Sequence, residues 1–291
     1  MMTALLSGLS LIAFAANSIL CRLALKSGEI GPMEFTSIRL ISGSLVLLPI
    51  FLFKTQPQSL FRSGFKEALA LFAYALFFSL AYVRIEAGAG ALMLFAAVQI
   101  TMIGISLFRG HPMSLGEWFG FGLTFSGLVY MLSPGLQAPP LVASLFMVLS
   151  GVAWGLYSVW GQAAGNPFFA TARNFLWAAP LGLILLLLLP DAPSWNSPGM
   201  IWAILSGALT SGLGYMIWYI ALQGISLTTA ALLQLSVPLI TALGGVILLQ
   251  ESIDIHFILS AILILGGIVL TLWIKKQIAQ NNSDKSTHHS L

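Results

Sequence analysis

The chain has 291 residues, of which 58% are hydrophobic and only 7% charged, and its mean hydropathy is +0.95. A soluble domain carries roughly a quarter charged residues, so this chain cannot cover a water-facing surface, and lipid must be its solvent for most of its length. The net charge of +3 therefore bears on membrane orientation and not on nucleic acid, because basic residues in such chains first set topology.

A membrane span needs about 20 apolar residues, and the pattern predicts helices over 4–24, 33–53, 65–84, 88–108, 115–132, 140–161, 169–189, 199–222, 227–249 and 253–274. The first run has no basic segment before it and no small-residue cleavage site after it, so it reads as a span and not a signal peptide. It carries Asn17 and Ser18 deep inside, and the lone Cys21 excludes an internal disulfide. Pro32 opens the second span, with Arg39 seven residues on; Pro167 opens the seventh, with Arg173 and Asn174 in the matching place. Snorkelling to the interface is the expected role of Arg39 and Arg173. The functional alternative is that one neutralises an anionic substrate group, such as a carboxylate, at a mouth of a cavity.

The third span spaces Tyr74, Phe78 and Tyr82 at i, i+4, i+8. Gln99 and Thr101 fall near the middle of the fourth, and Gly110-His111-Pro112 separates it from the fifth. Glu117 and Glu86 lie near helix ends and read as terminus charges. Gly116/Gly120, Gly151/Gly155 and Gly161/Gly165 permit close helix approach. The most turn-prone stretch, Ser133–Pro140, divides the chain. Beyond it the sixth span offers Trp154, Tyr157 and Ser158, and Pro190–Pro193 closes the seventh, with Trp195 as an interfacial anchor. In the eighth, Ser211, Tyr215, Trp218 and Tyr219 follow i, i+4, i+7, i+8 spacing and share one face. In the ninth, Gln234, Pro238 and Thr241 do the same. Pro238 removes a backbone donor, so that helix bends near its centre, either as a gate or as a tolerated membrane proline. Lys275–Leu291, with His288 and His289, has no apolar face and is expected to be a disordered tail and not a metal site.

Sliding the sequence by 140 residues aligns its halves without a gap from Ala68/Ala208 to Leu132/Leu272; Ala81 falls on Ala221 (221 − 81 = 140), Phe78 on Trp218 and Gly127 on Gly267. A repeat with an odd number of spans inserts its second copy upside down, and inverted repeats expose one midplane site alternately to either side of a bilayer. The expected fold is an all-α integral membrane protein of ten transmembrane helices. Its units are an inverted pair of five-helix repeats, 3–133 and 139–275, around a central cavity, with a tail at 276–291. Two aromatic ribs, Phe78 and Tyr82 on one side and Trp218, Tyr215 and Tyr219 on the other, either line that cavity or simply fill space between helices. With both termini cytoplasmic, Lys54, Arg62, Lys66, Arg109, Lys275, Lys276 and Lys285 lie inside and only Arg22, Lys26 and Arg84 outside. No Asp or Glu falls near the midplane of a predicted span, where proton-coupled pumps commonly place one. No Walker A, HExxH or GxSxG motif occurs. These observations point to a transporter without a cofactor. A membrane-embedded enzyme acting on lipid-linked substrates and a passive channel are the rival classes.

Ala230–Ser252 (AALLQLSVPLITALGGVILLQES) resembles the repeat end of the EamA-type drug/metabolite transporters, with small residues at Ala230-Ala231, an interrupting Pro238, Gly244-Gly245 and a glutamate at the turn, Glu251. Ala153-Trp154-Gly155 is similar to the family's repeat-opening helix, and the resemblance covers about 3–275. Asn17 stands near where the family tends to show Trp-Gly, Val98 replaces the proline and His111 the glutamate. No acidic residue occupies span one, so the glutamate-driven mechanism of the four-span pumps does not carry over. The resemblance implies a basket around a central cavity and export, across a cell (inner) membrane, of small metabolites such as amino acids or drug-like compounds. The expected substrate contacts are Trp218, Tyr215, Tyr219, Ser211, Phe78, Tyr82, Trp154, Tyr157, Gln99, Gln234 and Asn17, with Pro238 as gate and Arg39 and Arg173 for charge. The expected partners are the small-molecule substrate and the bilayer; a monomer suffices, and oligomeric state is left open.

Overall fold

The computed structural model describes residues 2–53, 64–108, 110, 113–133, 139–161, 166–188, 198–225 and 233–288. His111, Trp195, Gly165, Ala230-Ala231, His289, the Pro190–Pro193 turn and most of the Ser133–Pro140 junction lie outside the described residues. All regular structure among the described residues is helical: α1 (Met2–Lys26), α2 (Pro32–Phe53), α3 (Phe65–Tyr82), α4 (Ala87–Phe108), α5 (Leu115–Leu132), α6 (Leu141–Gly161), α7 (Pro167–Leu187), α8 (Pro198–Leu222), α9 (Ser236–Leu249) and α10 (Ile255–His288). Seven of these helices are long and apolar enough to cross a membrane. Large apolar side chains such as Leu5, Ile12, Leu243 and Ile247 stand exposed on the helix exteriors, the opposite of a water-soluble arrangement.

Local signals explain the ends. Asn166 caps α7 by accepting from the Phe169 N–H at 3.2 Å, and Pro167 sits at its first turn. Ser114 and Glu117 form a reciprocal capping box at α5, the terminus role expected of Glu117. The last helix continues to His288, where the polar composition predicts disorder. Extending an existing helix avoids the nucleation penalty that a separate polar segment would face.

The helix partners form a regular scheme. α2 packs on α7, α4 on α9 and α5 on α10; α3 packs on α6 as α8 packs on α1, and α4 on α6 as α9 on α1. Exchanging the first five helices for the last five maps these partnerships onto themselves. Glycines make the closest crossings possible. A Cβ on Gly120 would sit 2.8 Å from the Gly267 carbonyl oxygen, and one on Gly151 would sit 2.6 Å from Ala97 Cβ.

Helix α8 is irregular at its centre. Ser206–Leu213 forms a π-helical segment within the apolar run, the kind of local widening that often accompanies function. The helical run is interrupted at Leu235, just ahead of α9 and three residues before Pro238. Proline leaves the Gln234 carbonyl without its helical donor, and Ser236 Oγ donates to the Leu233 carbonyl at 2.7 Å.

Candidate functional site

Arg39 is the largest fully buried side chain among the described residues, 1% exposed despite lying seven residues into α2. The snorkelling expected of it is therefore wrong: its guanidinium turns into the bundle. Three hydroxyls and two ring faces compete successfully with the interface. Nε donates to Ser211 Oγ at 2.8 Å, and Nη2 donates to Tyr215 Oη at 2.6 Å and Tyr74 Oη at 3.2 Å. The guanidinium carbon lies 5.1 Å from the Tyr74 ring centroid and 5.0 Å from that of Phe78, within cation–π range. None of these partners is a carboxylate, and Nη1 is buried with no partner among the described residues.

Asn17 holds the other side of this cluster. Its Oδ1 accepts from Ser206 (2.7 Å), Thr210 (3.2 Å) and Ser211 (3.3 Å), and its Nδ2 donates to Tyr74 Oη at 3.2 Å. The π segment explains how three hydroxyls reach one oxygen. In a regular α-helix residues five apart are rotated by about 140°, whereas the wider i→i+5 turn brings Ser206 and Ser211 closer to one face.

Aromatic rings enclose the polar centre. Trp154 packs 4.8 Å from Tyr74 and 4.7 Å from Tyr215, centroid to centroid, and Phe14 meets Trp154, Tyr215 and Trp218 edge-on at 5.5–5.8 Å. Tyr157 continues the stack beyond Trp154, takes a 3.4 Å hydrogen bond from Asn174, and meets Tyr219 edge-on. The two aromatic ribs therefore meet: the Tyr215 hydroxyl donates to that of Tyr74 at 3.0 Å. Packed rings occupy the centre, and a small recess lies elsewhere, between Glu86, Gly88, Ala242, Glu251 and Phe257.

Asn17, Arg39, Phe78, Trp154, Tyr157, Ser211, Tyr215, Trp218 and Tyr219 thus form one buried assembly. Other expected residues fall outside it. Tyr82 joins through the Phe78 ring but bonds the Ala87 carbonyl towards the end of α3. Arg173 lies at the opening of α3, where a Cβ on Gly64 would come 2.7 Å from its guanidinium carbon. Gln99 is buried on α4 and Gln234 just ahead of α9, the helix that packs on α4, with Gln99 Nε2 and Gln234 Oε1 unpaired among the described residues. Pro238 is buried near the start of α9. Sequence reasoning missed Phe14, Ser206 and Thr210 as site residues and gave Tyr74 no contact role. Tyr74 lay in plain view on the aromatic rib; Phe14 had no polar atom to draw notice.

A second polar cluster closes the end of the bundle where α1 finishes. Arg22 pairs with Glu251 (Nε to Oε1 2.9 Å) and donates from Nη1 to the carbonyls of Tyr82 and Val83. Glu251 also accepts the Ala87 N–H at 2.7 Å, and Lys26 donates to the Leu249 carbonyl at 2.7 Å. Gln250, in a left-handed conformation (φ 55°), makes the turn that presents Glu251. In the loop between α3 and α4, partial burial and the charge of Glu251 hold the Glu86 carboxyl above its ordinary range.

Comparison with known proteins agrees with this architecture. The EamA-like transporter family matches twice, over residues 1–133 and 141–273. A Pseudomonas aeruginosa protein is 44% identical over 270 residues, covering 93% of this chain and 94% of the relative. Uncharacterized transporters of Archaeoglobus fulgidus and Bacillus subtilis are 24% and 23% identical, covering 92% and 85% of this chain and 96% and 90% of their own lengths. A solved crystal structure shares the fold at a TM-score of 0.66 and 16% identity, covering 94% of this chain and 97% of the other. The chain belongs to the EamA-like transporter family and is a multi-pass membrane protein.

Proposed function

We propose that the chain is a secondary transporter that exports small organic metabolites, amino-acid-like or drug-like in size, by alternating access. The observation that carries this reading is the convergence of helices from both halves on one buried polar and aromatic assembly. Costly polar groups inside a membrane protein mark substrate pathways, and aromatic faces hold planar or apolar solutes. The double family match and the exchangeable helix partnerships support two inverted five-helix repeats rocking about that assembly. The basic-residue bias of the loops supports cytoplasmic termini in an inner membrane. Pro238, beside the interruption at Leu235, is the hinge of this scheme.

The test is efflux from proteoliposomes preloaded with a labelled metabolite panel, with and without a pH gradient. Saturable efflux of particular solutes is expected, reduced about tenfold or more by Trp218→Ala or Tyr215→Ala with membrane insertion unchanged. Wild-type rates in both variants would remove the aromatic assembly from the pathway.

A further inference from the structure

We infer that the Arg39 site takes a monocarboxylate with an aromatic or apolar body and no ammonium group. The inference rests on the transporter reading and narrows its substrate class. Its first ground is charge. Arg39 carries a full positive charge at 1% exposure, its hydrogen bonds go to Ser211, Tyr74 and Tyr215, and no carboxylate lies within ion-pairing distance among the described residues. An unpaired buried charge is strongly unfavourable, and an anion at that position removes the imbalance.

The second ground is the hydrogen-bond inventory. Two donor groups at the centre are buried without an acceptor among the described residues: Arg39 Nη1, with two N–H groups, and Trp154 Nε1, with one. Trp154 packs against the same two tyrosines whose hydroxyls hold Arg39. The acceptors around Arg39 are already used: Asn17 Oδ1 receives three hydroxyls, and Tyr74 Oη receives Asn17, Arg39 and Tyr215, while the unpaired Asn174 Oδ1 belongs to the amide that bonds Tyr157 further out. The centre is rich in donors and short of acceptors. A carboxylate brings two acceptor oxygens and one negative charge, and meets both needs. An ammonium brings three more donors and would be stranded beside Arg39. The surrounding rings of Phe14, Trp154 and Tyr215 suit an aromatic or apolar body.

Four phenylalkyl probes separate these chemistries: 3-phenylpropionate, L-phenylalanine, 2-phenylethylamine and 3-phenylpropanol. Binding to the purified full chain in detergent is read by quenching of tryptophan fluorescence and by thermal midpoint, and transport by counterflow in proteoliposomes. Binding of 3-phenylpropionate about tenfold or more tighter than the other three is expected, because only it satisfies the donors without adding any. Arg39→Lys, which keeps the charge and loses the planar fork, should weaken it about tenfold. Trp154→Phe, which removes one donor and keeps a ring, should weaken it several-fold. The probe comparison needs only the unaltered protein, so a folding defect in either variant leaves the test intact. Equal or tighter binding of phenylalanine overturns the exclusion of the ammonium group, and equal or tighter binding of phenylethylamine or phenylpropanol overturns the carboxylate assignment; if Trp218→Ala still abolishes transport of that probe, the transporter reading stands. Carboxylate binding unchanged in folded Arg39→Lys and Trp154→Phe also overturns it. Absence of binding by all four overturns it as well, and efflux of another solute in the metabolite panel then keeps the transporter reading separate.

Discussion

Asn17 is the acceptor on which the centre converges, since one carbonyl oxygen takes hydroxyls from Ser206, Thr210 and Ser211. Asn17→Asp changes almost no volume but places a carboxylate next to Ser211 and Tyr74, the groups that hold Arg39. The new charge would compensate the guanidinium from within. It should therefore compete with an anionic substrate and lower carboxylate efflux about tenfold or more, while the thermal midpoint stays level or rises. Unchanged efflux in a stable Asn17→Asp protein would show that Arg39 does not read substrate charge. Asn17 and Arg39 were both visible in the sequence as polar residues inside apolar runs. The direction of Arg39 was not. Seven residues into a helix is about 10 Å of depth, within reach of an interface for a long side chain, and only the hydroxyls of helices distant in sequence turn it inward.

At the scale of elements, the α2–α8 crossing sets how close Arg39 can come to Ser211. Gly207 lies in the π segment, and a Cβ there would come within 2.8 Å of the Arg39 backbone carbonyl carbon. Gly207→Val must push α8 away from α2, since the obstruction is backbone and cannot rotate aside. Overpacking of this kind costs about 1–3 kcal/mol or more, so a drop of roughly 5 °C or more in thermal midpoint is expected, with loss of transport. Gly122→Ala on the exposed face of α5, with nothing within 4 Å of the added methyl, should be neutral or gain up to about 1 kcal/mol. Equal effects from the two would mean that this crossing does not limit the fold. Hydropathy placed the helices well, because a span of about 20 apolar residues is a strong signal. The shared face of Ser211, Tyr215 and Trp218 was legible for the same reason. The π segment was not, because one widened turn leaves no mark on composition. The inward recruitment of Ser206 and Thr210 depends on that turn.

At the scale of the whole molecule, alternating access requires one end to open to the central cluster, and at the Arg22–Glu251 end a single network would have to release. One ion pair joins α1 to the α9–α10 turn, and the same two side chains bind the carbonyls at the end of α3 and the first N–H of α4. The groups electrostatically coupled to Glu86 here are Glu251, Asp254, Arg22 and Lys26. A negative Glu86 repels Glu251 and weakens its hold on Arg22. Because the Glu86 carboxyl is held above its ordinary range, acidification through that range neutralises it first, and the closed end tightens. As pH rises through the same range the repulsion returns and the end loosens. The lone Cys21, wholly buried beside Arg22, is a native reporter of this motion. Maleimide labelling of Cys21, taken relative to a small free thiol at the same pH to remove the thiol's own ionisation, should be slow in the unaltered protein, slower still at acid pH, and about tenfold faster in Glu251→Gln, which loses the charge that holds Arg22. On the same relative scale, Glu86→Gln should label slowly at every pH and keep no pH dependence beyond that of the free thiol. Labelling of Cys21 at one rate in all three proteins would mean that this end stays shut during the cycle, and access to Arg39 would then have to come from the opposite end of the bundle alone.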